Sequence, residues 1–217
     1  MAVTAAGVTG ALVLTACGSE TPDYQSIWST SATTTASSAA PTTSETPVPL
    51  SQYLEDLGVQ GEPIALDKLT DLTVTLPRPT GWTKYSNSNF APQSAMIAKN
   101  DTYPTAMVMV FRLQGGFDVP EAIKHANADA QLSPGFTKLN ESLADFEGFP
   151  SAMIEGSYNG ADNRRLHSYS RIVIPVTPAP AFQRYLVQFT VTSLADRAVA
   201  DSDDVEAVID GFKIAVK

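Results

Sequence analysis

Residues 29–49 constrain this chain more than any other feature: 19 of these 21 positions are Ser, Thr, Ala or Pro. Such a composition cannot bury enough surface to offset the entropy lost on ordering. The tract therefore divides the chain, and only residues 50–217 can supply a packed core. Those 168 residues suffice for one domain that buries roughly 70% of the surface its unfolded chain exposes. Ahead of the tract, residues 2–16 (AVTAAGVTGALVLTA) are small and apolar. They have the length of a signal-peptide core and are too short to span a bilayer.

The only cysteine of the chain, Cys17, closes the tetrapeptide Leu14-Thr15-Ala16-Cys17. This resembles the bacterial lipobox, in which cleavage between Ala16 and Cys17 leaves Cys17 as the first mature residue, carrying diacylglycerol. Two or more acyl chains anchor stably, where one binds only marginally. No Lys or Arg precedes the apolar run, so Met1 alone supplies the positive charge expected there. The expected organisation is a signal peptide over residues 1–16, a lipidated Cys17 with a disordered tether to residue 49, and a single domain over residues 50–217. A coil-like span of residues 18–49 gives a reach of about 30 Å. It holds the body off the outer side of the cell membrane.

Charge and cysteine count exclude several classes. The formal net charge is −9, and no Lys or Arg occurs before Lys68, while seven acids do. A chain with no basic stripe is no nucleic-acid binder. One cysteine permits neither an internal disulfide nor a structural zinc site.

The body reads as α+β. Leu50, Tyr53, Leu54 and Leu57 predict a short helix, capped by Ser51 and stopped at Gly58. Alternation predicts a strand over residues 72–76, with Trp82 filling the core behind the Pro-Gly turn. Further strands are expected at 94–98 and 106–113, with turn residues 100–104 between them. In the second, Met107, Met109, Phe111 and Leu113 share one face while Ala106, Val108 and Val110 share the other, the mark of a central strand covered on both sides. One helix is expected over residues 119–131, with Asp118 as cap and Pro120 at its start. Four strands follow at 137–146, 151–158, 166–176 and 183–193, joined by short turns into an antiparallel meander. A last helix over residues 203–211 carries acids at its positive end. The expectation is one twisted antiparallel sheet with flanking helices.

The lipobox, the tether, residues 50–59 (LSQYLEDLGV), residues 76–82 (LPRPTGW) and a closing helix that ends in Gly211-Phe212 together resemble the LpqN/LpqT-type lipoproteins of actinobacteria with mycolic-acid envelopes. The likeness extends from Cys17 to the end. It implies a PsbP-like α/β/α sandwich, a fold used mainly for binding. It further implies a role in transport of trehalose-mycolate lipids, beside large membrane transporters.

Catalytic signals are sparse. No G-x-S-x-G elbow occurs; the nearest phrase, Gly156-Ser157-Tyr158-Asn159-Gly160, lacks the residue between Gly and Ser. Of two histidines, His125 shares a helix face with Glu121 and Asp129, a spacing that reads as a surface charge cluster. His167 alternates with Arg165, Tyr169 and Arg171 along one strand. Neither P-loop nor G-x-G-x-x-G spacing is present, so no cofactor is expected. No catalytic and no metal-ligating residues are assigned. The residues expected to bind an amphiphile are Tyr158, Arg164, Arg165, His167, Tyr169 and Tyr185, at the end of the meander near residues 159–163. Three readings stay open: a lipid-binding accessory of envelope lipid transport, a protein-interaction scaffold, and an esterase-type hydrolase. The partners expected are an envelope glycolipid, a lipid transporter complex, and the membrane through the anchor.

Overall fold

The computed structural model describes residues 46–86 and 90–217. The anchor expectations at Ala16 and Cys17, and most of the tether, lie outside the described residues.

Strand β5 (Thr102–Gln114) organises the molecule. Both of its faces are apolar and both are buried, so the sheet containing it must be covered twice. Met107, Met109, Phe111 and Leu113 pack with Leu50 and Leu54 of α1 (Leu50–Asp56) and with Ala122 and Ile123 of α2 (Val119–Ile123). Ala106, Val108 and Val110 join the opposite core, with Val205 and Val208 of α4 (Ser202–Gly211). That core also takes Leu72 and Val74 of β2 (Leu72–Thr75) and Ile214 of β10 (Lys213–Val216). The result is the expected α+β sandwich, a sheet between two layers.

The main sheet has eight strands. Six join β5 in the order β3 (Trp82–Lys84), β4 (Ala95–Lys99), β5, β9 (Arg184–Leu194), β8 (Arg165–Val173), β7 (Ser151–Asn159), β6 (Thr137–Ser142). The eighth, β1 (Gln60–Pro63), pairs with the far end of β5 beyond β4. Strands β6 to β9 form the meander expected from their short turns. Asn100 and Asp101 both take positive φ, the conformation of a two-residue hairpin turn whose twist matches its strands. The β4–β5 turn is therefore shorter than residues 100–104.

Four expectations are corrected. Strand β2 is not in the main sheet: it pairs with β10, which the pattern did not predict, as a separate ribbon over one face. Ser51 is not a cap; Pro49 occupies that position without a side-chain bond, and its carbonyl accepts from the Tyr53 amide. The helix over residues 119–131 is two pieces, α2 and α3 (Ala128–Gln131). Asp118 does cap α2, its Oδ1 accepting from the Glu121 amide at 2.8 Å. Beyond Ile123 the backbone tightens into i→i+3 bonds at Lys124, His125 and Ala126, which rotates His125 out of register with Glu121 and Asp129. His125 instead stacks on Tyr53, and its Nδ1 lies 3.2 Å from the Val48 carbonyl. Lastly, the strand predicted to reach Phe146 stops at Ser142.

Candidate functional site

Strand β8 presents Arg165, His167, Tyr169 and Arg171 on one face, as its two-residue period demands. Cross-strand pairing sets their neighbours. His167 faces Ser157 on β7 and Ser193 on β9; Tyr169 faces Glu155 and Val191. The His167 Nε2 lies 3.0 Å from Glu155 Oε1, a diagonal contact across the ladder. Burial pushes the Tyr169 phenol's pKa upward, opposed in part by Arg171, so the ring carries a neutral hydroxyl. That hydroxyl accepts a 2.8 Å bond from Arg171 Nε. Arg171 also donates to Ser151 Oγ and lies 4.6 Å from the centroid of the Phe146 ring.

Helix α4 roofs this face. Its apolar side presses Val205 and Val208 onto the sheet, and Phe212 beyond it stacks on Phe189 at 4.2 Å and on Phe146 at 5.4 Å. Near the β8–β9 end the roof stands off the sheet and leaves a cleft of about 320 Å³. Its floor is Glu155, His167, Tyr169 and Ser193; its roof is Val205, Glu206 and Ile209. Val199, 91% exposed, sets an apolar side chain at the mouth.

The six residues expected to bind do not converge. His167 and Tyr169 line the cleft. Arg165 shares their face but is committed elsewhere, donating to the Gly135 carbonyl, Asn159 Oδ1, Thr137 Oγ1 and Ser157 Oγ. Tyr185 is also on this face, yet it pairs with Arg112 near the opposite end of β9 and donates to Asp71 Oδ1 at 2.6 Å. Six residues separate it from Val191, the partner of Tyr169, a span of about 20 Å. Tyr158 pairs with Leu166 and, with Arg164, belongs to the parity of the other face. Arg164 is held by Asp162 and lies 5.5 Å from the centroid of the Tyr103 ring.

Sequence reasoning missed Glu155, Ser193, Glu206 and Ile209. A glutamate inside the apolar run Ala152–Gly156 is a signal in itself, because a charge in a central strand needs a partner. The face opposite the cleft holds a second surprise. Ser168 pairs with Thr192 and Ser170 with Thr190, a block of four hydroxyls at the centre of the sheet. Thr192 Oγ1 is buried without a hydrogen-bond partner.

Chemically, the cleft offers hydroxyls, a His–Glu pair and apolar walls. Ser193, His167 and Glu155 lie on three adjacent strands, but the histidine nitrogen toward Glu155 is Nε2. Among the described residues no three metal-binding side chains cluster.

The layers and the corner cleft define the class of the body: an α+β sandwich built on an antiparallel meander and roofed by its last helix. The crystal structure of LpqN from Mycobacterium tuberculosis, described as involved in cell envelope biogenesis, shares this fold. Its TM-score is 0.66 at 21% identity, over 78% of this chain and 98% of that one. The chain belongs to the LpqN lipoprotein family, whose model, "Probable lipoprotein LpqN", matches residues 46–215. Lipoprotein LpqT of Mycobacterium tuberculosis H37Rv is 55% identical over 217 residues, covering 100% of this chain and 94% of the relative. A proline-rich 28 kDa antigen of the same organism is 35% identical over 169 residues, 76% of this chain and 53% of that protein. The LpqN and LpqT relatives are named as lipoproteins, not as enzymes. Among the described residues no helix is long and apolar enough to cross a membrane.

Proposed function

We propose that this chain is a lipid-anchored envelope protein whose body is a non-catalytic accessory of lipid transport, holding the polar head of an amphiphile in the cleft beneath α4. A trehalose-mycolate type glycolipid is the guest, and a membrane lipid transporter is the partner that delivers or receives it. The lining of the cleft carries this reading: hydroxyl, imidazole and carboxylate groups on the floor, with Val205, Ile209 and Val199 opposite. Binding sites of this kind pair apolar walls with a few placed polar groups. A volume of about 320 Å³ is at the low end of the usual range of about 300–1,000 Å³. It suits a head group, while a long acyl chain would run out past Val199. Family membership and the involvement of LpqN in cell envelope biogenesis support the setting.

Titration calorimetry and native mass spectrometry with a short-chain trehalose glycolipid test the reading. Micromolar affinity, roughly −8 kcal/mol, is expected. The Ile209→Trp variant, which fills the cleft from a half-buried position, should abolish it without lowering the melting temperature. Unchanged affinity in a folded Ile209→Trp protein would sink the assignment.

A further inference from the structure

We propose that Glu155 and Glu206 select the guest by charge, so that the cleft accepts an uncharged hydroxyl-bearing head and rejects phosphate- and sulfate-bearing ones. The inference rests on the cleft reading above and specifies the chemical class that the site admits.

Among the described residues that line the cleft there are two carboxylates and no Lys or Arg. The arginines that could reach an anion are already committed. Arg165 holds four acceptors around the β6–β7 corner. Arg171 bonds Tyr169 and Ser151 and lies against Phe146. Arg197 pairs with Asp201 through two bonds of 3.3 and 3.4 Å. Helix α4 contributes Asp203, Asp204, Glu206 and Asp210 and no base. Lys99 is drawn off to Asp204. The partial positive charge at the start of α4 is met by Asp203 and Asp204 in its own first turn.

An anionic head would therefore sit between Glu155 and Glu206 with no Lys or Arg of the lining to meet it. Like charges brought together at a binding surface are a strong barrier to the wrong partner. A quaternary ammonium meets the carboxylates but has no hydrogen-bond donor to give them and nothing to exchange with the Ser193 and Ser202 hydroxyls. Sugar-like hydroxyls fit both demands: they donate to the carboxylates and exchange bonds with the Ser193 and Ser202 hydroxyls.

The experiment uses the full chain carrying Cys17→Ala, so that no acyl group competes, and three sub-micellar amphiphiles sharing a ten-carbon chain: decyl maltoside, decyl phosphate and decyltrimethylammonium. At about 0.15 M salt the maltoside should bind at least tenfold more tightly than the phosphate, and more tightly than the ammonium. Glu206→Lys, at an exposed position that leaves the core untouched, should erase or reverse the maltoside–phosphate gap; Glu155→Gln should narrow it. Equal binding of maltoside and phosphate, preference for the ammonium, or a gap that survives Glu206→Lys overturns the selection while leaving the cleft reading intact. Absence of binding by all three overturns both.

Discussion

Replacing Arg165 by alanine separates architecture from recognition. Its guanidinium spans three segments: Gly135 in the loop before β6, Thr137 on β6, and Ser157 and Asn159 on β7, at 2.7, 2.8, 2.8 and 3.1 Å. A net intramolecular hydrogen bond contributes about 0.5–1.5 kcal/mol, so four together give about 2–6 kcal/mol. The site is half-exposed, and water can replace the arginine at several of these acceptors. Roughly 2 kcal/mol is the expected loss. For a body of this size that lowers the melting temperature by about 4–8 °C. Arg165→Lys should recover little, because a point ammonium cannot reach a fork of acceptors spread over three segments. The assay is thermal unfolding by circular dichroism, run beside glycolipid titration. Affinity should hold while the melting temperature falls. A variant that melts like wild type but loses affinity would refute this, and would return Arg165 to the binding site.

Asp129 has a buried Oδ2 without a hydrogen-bond partner, and burial raises its pKa. Its folded form holds the proton more tightly than its unfolded form. Its contribution to stability is therefore fully present below about pH 4, the ordinary carboxyl value, and is lost as pH rises through the raised folded value. Asp129→Asn should melt higher than wild type at pH 7, with the gain vanishing toward pH 4; a pH-independent difference would contradict the assignment. Gly156 lies under Phe136, and a Cβ there would stand 2.5 Å from Phe136 Cζ and 2.7 Å from the Thr137 carbonyl. Gly156→Ala should cost about 1–3 kcal/mol, read as a lower urea midpoint; no change would mean the β6 edge yields freely. Cys17→Ala should move the protein from the membrane fraction to the soluble one, and intact mass of the wild type should show acyl groups. A soluble, unmodified wild type would end the anchor proposal.

How much was legible in the sequence follows from the range of the forces involved. Strand β5 could be read because both its faces are apolar, and β6 to β9 because short turns leave antiparallel pairing as the only geometry. Strand β1, with the sequence Gln-Gly-Glu-Pro, has no apolar alternation. It is a strand because β5 extends beyond β4 and its remaining edge groups need partners. The β2–β10 ribbon joins segments more than 130 residues apart, beyond any local pattern. The site divides in the same way. Parity placed Arg165, His167 and Tyr169 on one face. Register, which parity does not supply, carried Tyr185 to the far end of β9 and brought Glu155 to His167. The roof, with Glu206 and Ile209, comes from a helix whose own sequence says only that it is amphipathic.

That ribbon also sets an order of events. Leu72 and Val74 lie against a core that Phe212 and Ile214 complete, and the Lys217 amide and Nζ fasten to the Asp71 and Leu69 carbonyls. A chain made amino end first completes the meander well before residues 213–217 arrive. Until they do, Leu72 and Val74 lack the strand that pairs with them and the core around Ile214 stays open to water, an apolar surface prone to association. The β2–β10 cap on that core is thus completed after the meander, and a chain truncated after α4 should leave Leu72 and Val74 without their partner strand.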